Sequence, residues 1–212
     1  QVDLLLLGGG SLLQDTTSQR SLLYYLGLIY LARKLNLTVV FYAQGVGPIN
    51  SALGRALVPR VLNSVDKLTV RDQKSKDLLV KLGVNEPIKV TVDPVLNLST
   101  AAKERRKEII TAESLELQPQ VIGVAVRSWT EESNDYLAVL AAVLDRLNHK
   151  LEADILFLPL HYPQDLSASQ EVRDYMETEA KLLTGQYRPR EVAGLFGSCD
   201  LVIGVRLHSL IF

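Results

Sequence analysis

Val2-Asp3-Leu4-Leu5-Leu6-Leu7-Gly8-Gly9-Gly10-Ser11 is a short apolar run that ends in three glycines. It is far too short to cross a membrane and reads as a buried strand entering a tight turn. Working outward, the same pattern recurs. Gln19–Leu35 is a helix, apolar on nearly every face, with Arg33 and Lys34 in its last turn. Thr38–Ala43 is a second strand, ending at Gln44-Gly45-Val46-Gly47-Pro48. A helix over Ser51–Asn63 follows, with Pro59 expected to kink it or end it early. Lys67–Arg71 reads as a strand, Gln73–Leu82 as a helix closed by Gly83, and Ile88–Val92 as a strand running into Asp93-Pro94. Strand then helix, four times over, predicts a parallel sheet with helices on both faces.

Ser99–Gln118 breaks the pattern. Its Lys103–Glu108 charges and Pro119 predict a solvated helix or a linker. A second series then begins: strand Val121–Val126, helix Ser133–Lys150, strand Asp154–Leu158, helix Gln164–Leu183, a short helix Glu191–Ser198 and strand Leu201–Val205. The expected fold is therefore α/β, with two doubly wound, Rossmann-like units facing each other across a cleft. Their expected bounds are residues 1–98 and 120–212, with 99–119 as the connection. The chain lacks an initiator Met and stops in mid-pattern, so it reads as a piece of a longer protein whose second unit is cut short.

At 212 residues, 47% hydrophobic and 22% charged, the chain has ample apolar content for packed cores, which excludes disorder. Its 23 basic and 24 acidic side chains give a net charge of −1 and a pI of 6.4, which excludes a polybasic nucleic-acid binder. The single cysteine, Cys199, can form neither an internal disulfide nor a multi-cysteine zinc site. It points to a reducing, cytoplasmic setting and reads as a small core residue.

In open parallel sheets, ligands bind beyond the carboxyl ends of the strands. Here the sequence turns glycine-rich or polar at those ends. Gly9, Gly10 and Ser11 bring backbone N–H groups close to a ligand, and the following helix would aim its positive end at the same place. The segment is neither a P-loop nor a dinucleotide fingerprint, since it lacks both Gly-Lys-Ser/Thr and G-x-G-x-x-G. The simpler reading is a tight turn with Ser11 or Asp15 capping a helix. In the functional reading, Asp15 accepts a proton from a substrate hydroxyl. Gln44 and Asp93, ending the second and fourth strands, add an amide and a carboxylate suited to sugar hydroxyls.

The second series places cations at the equivalent rim. Arg127-Ser128-Trp129 follows one strand, His161 another, and Arg206-Leu207-His208-Ser209 a third. A guanidinium at a strand end fits a carboxylate or phosphate with a two-pronged fork. Arg127, Arg206, His161 and His208 together predict an anionic ligand. The simpler readings are a salt bridge from Arg206 to a helix and a helix cap for His208. Trp129 either stacks on a sugar or covers a core edge. His161 and His208 lack a third ligand at fixed spacing, so no metal site is predicted.

In order along the chain, Gly8-Gly9-Gly10-Ser11-Leu12-Leu13-Gln14-Asp15 with Ser18 and Arg20–Tyr25, Gln44–Pro48, Val70-Arg71-Asp72 with Ser75, Asp93-Pro94, Arg127-Ser128-Trp129 and Arg206-Leu207-His208 resemble polysaccharide pyruvyl transferases of the CsaB type. The resemblance covers the whole chain and implies a GT-B-like fold. It implies an enzyme that moves the enolpyruvyl unit of phosphoenolpyruvate onto two hydroxyls of a sugar, typically N-acetylmannosamine, forming a pyruvate ketal and releasing phosphate. Phosphoenolpyruvate would be the donor substrate, with no cofactor. The acceptor would be a cell-wall or surface glycan, carried on lipid at the cytoplasmic leaflet, with peripheral membrane association through that acceptor.

The same resemblance assigns roles. Arg127 and Arg206 would hold the carboxylate and phosphate of phosphoenolpyruvate. His208 would touch the phosphate or act as the acid, with His161 as its rival for proton delivery. Asp15 would be the base on the acceptor side. A functional lysine of the family falls beyond Phe212. Two alternatives stand beside this reading: a GT-B glycosyltransferase using a nucleotide sugar, and a glycan-binding module without activity.

Overall fold

The computed structural model describes residues 2–16, 18–127 and 135–212. They form two compact α/β units, divided between Leu96 and Asn97, each built on a wholly parallel sheet of four strands.

The first unit runs β1 (Leu4–Gly8), α1 (Gln19–Lys34), β2 (Thr38–Gln44), α2 (Ala52–Leu62), β3 (Lys67–Val70), α3 (Gln73–Leu82) and β4 (Ile88–Val90). Its strands lie in chain order, β1-β2-β3-β4. Right-handed crossovers between strands laid down in sequence put every connecting helix on one face. The side chains agree. Leu7, Val39, Phe41, Leu68 and Val70 are buried against Leu22, Ile29, Val58, Leu62 and Leu79 of the helices, while Leu4, Leu6 and Tyr42 are exposed on the opposite face. Each of these helices starts on a capping side chain. Ser18, Ser51 and Asp72 each accept a hydrogen bond from a backbone N–H of the first turn, and Gly83 ends α3 in the left-handed conformation, φ +95°. Pro59 does not end α2, which continues to Leu62; a proline removes one N–H, and the remaining bonds of the short final turn still form.

The second unit begins with α4 (Lys103–Ala112) and continues β5 (Val121–Ala125), α5 (Asp135–Leu151), β6 (Asp154–Phe157), α6 (Gln164–Tyr175), β7 (Ala180–Leu182), α7 (Pro189–Phe196), β8 (Leu201–Gly204) and α8 (Leu207–Ile211). Strand order is β7-β6-β5-β8. The chain winds outward from β5 to β7 and then returns to the other side of β5. That reversal is the mark of a doubly wound sheet, and it is absent from the first unit among the described residues. Both faces are covered. Ile122, Val124, Ile155 and Phe157 pack against Leu137, Leu144 and Val172, while Val121, Ala125 and Leu156 pack against Ile109, Val192, Leu195 and Phe196. Every residue of β5 is buried.

Two sequence expectations change here: among the described residues, double winding with helices on both faces holds for the second unit and not the first, and one expected helix is shorter. The helix expected over Gln164–Leu183 ends at Tyr175, and Ala180–Leu182 is an edge strand. The Asp145 carboxylate on α5 accepts from the Glu177 and Thr178 N–H groups at 3.0 Å each and from the Thr178 hydroxyl, turning the chain out of α6. Nothing local to that segment announces such a contact. In the 99–119 stretch, α4 is a helix with most of its residues exposed, and it is anchored on the second unit. Ile109 of α4 is fully buried, Arg106 donates to the Gly194 carbonyl and to the Ser198 hydroxyl, and Glu113 accepts from Thr184 N–H, Gly185 N–H and the Tyr187 hydroxyl. Cys199 packs over Gly123, where a Cβ would come within 2.8 Å of its sulfur. Burial pushes its thiol up to about 11, and the neighbouring Asp200 adds to the shift.

Candidate functional site

The first unit's rim is a pair of loops laced by backbone hydrogen bonds. Gly45 N–H donates to the Gly10 carbonyl (2.9 Å), Gly47 N–H to the Leu13 carbonyl (2.7 Å) and Asp15 N–H to the Pro48 carbonyl (3.2 Å). Gly9 and Gly10 adopt φ of +78° and +62°, where a side chain would be strained, and a Cβ on either would meet nothing within 4 Å. The outer side of this loop is therefore open. Arg71 ties the strand ends together: one Nη donates to the Ser11 hydroxyl (3.1 Å), the other pairs with Asp93 (3.3 Å), and Nε lies 3.4 Å from Asp72. A Cβ at Gly45 would press within 2.6 Å of both the Arg71 Nη2 and the Ser11 hydroxyl, so a side chain there would push this contact apart.

Gln44 is the outlier of this rim. A β-bulge at the end of β2 brings it into register with Val70, and it is wholly buried. Neither its amide oxygen nor its nitrogen meets a hydrogen-bond partner among the described residues. A buried amide in that state is costly without a bound group or water to satisfy it.

Asp15 holds a backbone turn. Its carboxylate accepts from Asn50 N–H (2.9 and 3.0 Å) and Ser51 N–H (2.7 Å), holding the turn that enters α2. The Ser51 hydroxyl, then the Asn50 and Ser51 backbone donors, hold this carboxyl below the usual carboxylate range. A carboxylate so engaged is a weaker base than a free one.

The second unit's rim lies at its switch point. Arg127 follows β5 by two residues and Arg206 follows β8 by two, and those strands are hydrogen-bonded neighbours in which Ala125 pairs with Gly204. The reversal of strand order opens a crevice at the carboxyl ends of such a pair. Beneath it sits Asp165, fully buried in the first turn of α6. Its two oxygens take Arg206 Nε and Nη2 at 2.5 Å each, and they also accept from His161 N–H (2.9 Å) and Leu160 N–H (3.3 Å). One carboxylate thus fixes both the arginine and the His161 loop. Arg206 does make the salt bridge to a helix, but only along one edge. A guanidinium has five N–H groups, so its far edge still offers a fork to an anion.

Tyr136 of α5 joins this cluster by donating its hydroxyl proton to the Arg127 carbonyl. Burial pushes its phenol up, Arg127 opposes that shift, and the Glu171 and Asp165 carboxylates add to it. His208 is exposed on α8, its ring 6.3 Å from that of Phe212 and inclined by 24°. His161 is exposed at the loop Asp165 anchors. Ser128 and Trp129 lie outside the described residues. The structure thus brings Arg206 and the His161 backbone onto Asp165, with Arg127 at the end of the neighbouring strand, and Ser11, Gln44 and Asp93 around or beside Arg71, in separate units. Asp165 and Tyr136 escape a reading of the sequence because each acts across the fold: an acidic residue in a helix's first turn looks like a dipole partner, not an arginine clamp. Arg71 is visible only as part of a motif.

Among the described residues, no group of three or more His, Cys, Asp or Glu is placed to hold a metal ion, and no helix is long and apolar enough to cross a membrane.

The model of the family "Polysaccharide pyruvyl transferase" matches residues 1–212. No curated protein matches the sequence. Among solved structures, the chain is similar to S. aureus MnaA in its UDP co-structure, with a TM-score of 0.61 at 11% identity over 97% of this chain and 53% of that one. It is also similar to Anabaena Alr3699/HepE in complex with UDP and glucose, with a TM-score of 0.50 at 16% identity over 94% of this chain and 51% of that one. Likeness at such identities shows a GT-B-like α/β fold and no more. The chain spans about half the length of these structures.

Proposed function

The chain belongs to the polysaccharide pyruvyl transferase family, and from that premise we propose that it transfers the enolpyruvyl group of phosphoenolpyruvate to a sugar of a cell-wall or surface glycan, N-acetylmannosamine of the CsaB-type acceptor, as a pyruvate ketal. The observation that carries this is the pair Arg127 and Arg206 at the switch point of the second sheet, with Asp165 orienting one of them. Two guanidinium groups at neighbouring strand ends suit a small ligand that bears both a carboxylate and a phosphate.

The reaction follows from the donor's electronics. Protonation of the methylene carbon leaves a cation at C2, stabilised by the attached oxygen. A sugar hydroxyl forms a C–O bond to C2 and gives up its proton. The C2–O bond to phosphate then breaks, and a second hydroxyl closes the ring. One phosphoenolpyruvate and one diol give one ketal and one inorganic phosphate. Arg127 and the far edge of Arg206 hold the departing phosphate and the carboxylate, and exposed His208 or His161 supplies the proton. Ser11, Gln44 and Asp93 of the first unit bind acceptor hydroxyls, and Asp15 shapes their loop.

The test is phosphate release from phosphoenolpyruvate by the full-length protein, with and without an N-acetylmannosaminyl glycoside. Acceptor-dependent release that Arg127→Ala abolishes supports pyruvyl transfer. A second reading, a glycosyltransferase using a nucleotide sugar, draws on the UDP bound in both similar structures. Cleavage of a nucleotide sugar without any response to phosphoenolpyruvate would select it.

A further inference from the structure

The net charge of −1 conceals an uneven distribution. Residues 1–96 carry 11 basic and seven acidic side chains, a net +4, whereas residues 97–212 carry 12 and 17, a net −5. From Thr16 to Val65 there is not one Asp or Glu, although 24 of the 212 residues are acidic. That stretch holds α1, β2 and α2. Across α1, α2 and α3 there are eight Lys or Arg against a single acid, Asp77.

The same helix layer is apolar where it meets solvent. α1 turns Leu22, Leu26, Ile29 and Ala32 to the core, yet Tyr24, Tyr30 and Leu31 on its outer side and Leu35 at its end are each more than half exposed. Leu53 on α2 is nearly so. α1 and α2 are packed neighbours on one face of the sheet, so these side chains belong to one outer surface. Lys34 holds its ammonium 5.5 Å from the centre of the Tyr30 ring.

A surface helix ordinarily turns charges of both signs to water. This one offers tyrosine and leucine among cations, and the acid that reaches it, Asp66, pairs with Arg33 in its last turn. Aromatic rings with a polar tip prefer the boundary between apolar chains and water, and Lys or Arg beside them are drawn to anionic headgroups. Nucleic acid would satisfy the cations but would leave Leu31, Leu35 and Leu53 against phosphates. We infer that the outer face of α1 and α2 is a docking surface for an anionic lipid membrane. The helices lie on that membrane and do not span it. The inference rests on the chemistry of this surface and is independent of the reaction assigned to the second unit.

Full-length protein sedimented with phosphatidylcholine vesicles containing phosphatidylglycerol tests it, with pure phosphatidylcholine vesicles as the comparison. Binding is expected to the anionic vesicles and is expected to weaken as salt shortens the reach of the charges. Each basic residue near an anionic surface is worth about five-fold in partitioning, so Lys34→Gln with Arg60→Gln is expected to cost about 25-fold. Tyr30→Ser with Leu31→Ser is expected to weaken binding while leaving the unfolding midpoint in place, since both residues are exposed. Absence of binding to anionic vesicles overturns the inference, as does binding that neither pair of substitutions changes. A concentration-dependent dimer abolished by Tyr30→Ser with Leu31→Ser, without vesicle binding, would make the surface an interface between two copies instead. Binding of RNA in preference to vesicles would also overturn it.

Discussion

β1 and β5 each follow a run of aliphatic residues into a polar rim, yet their surroundings differ. β1 lies in a sheet whose strands follow chain order, with helices on one face, and alternate residues such as Leu4 and Leu6 are exposed. β5 sits at the middle of a sheet that reverses its winding, with helices on both faces and every residue buried. The difference extends to the rims. Glycine loops and Arg71 organise the first through backbone bonds and a half-buried ion-pair network, whereas a single buried carboxylate, Asp165, organises the second. A one-sided sheet leaves side chains such as Leu4 and Leu6 in the open; a two-sided sheet with a switch point holds its rim on a buried frame.

The largest expected effect tests burial itself. Phe157→Ala, in the doubly covered sheet, is expected to lower stability by about 3–5 kcal/mol, while Tyr42→Ala on the open face of the first sheet changes it by about 0.5 kcal/mol or less. Urea denaturation reads both, and similar losses would mean that the open face is covered in solution. Arg127→Ala comes next, lowering the rate of phosphate release about 10²–10³-fold. Arg71→Ala on the other rim is expected to raise the acceptor KM more than it lowers kcat. The reverse split would exchange the roles of the two rims.

Asp165 is a positioning residue, and its effect is expected to be intermediate. Asp165→Asn and Arg206→Met should be coupled by about 2 kcal/mol in kcat/KM for phosphoenolpyruvate, measured by a double-mutant cycle. Additive losses would show that the carboxylate does not act through the arginine. The smallest effect is at Asp15. Because its folded carboxyl is held below the ordinary value of 3.8, its contribution is present above that pH and disappears as pH falls through the folded value. Asp15→Asn is therefore expected to cost about 1 kcal/mol at neutral pH, and the gap from the unsubstituted protein should close under acid. A gap that persists there would make the role steric and not electrostatic.

Much of this protein was readable from the sequence. Short β-branched and leucine-rich runs separated by helical periodicity, with Gly83 closing a helix, determine the alternating α/β elements because those signals are local. Polar residues at strand ends likewise mark both rims, since a parallel sheet exposes those ends to ligands whatever its strand order. The structure decided what depends on pairs far apart in the chain. Strand order is one such case: β7 was hidden inside a helical pattern until Asp145 turned the chain, and only the β5–β8 pairing brings Arg127 and Arg206 to one switch point. Partnership is the other. Nothing local distinguishes a carboxylate that accepts a substrate proton from one held by backbone N–H groups, as Asp15 is, or from one that grips an arginine 41 positions away, as Asp165 does. Composition and spacing set which groups are available, and tertiary contacts set their charge, orientation and freedom to react.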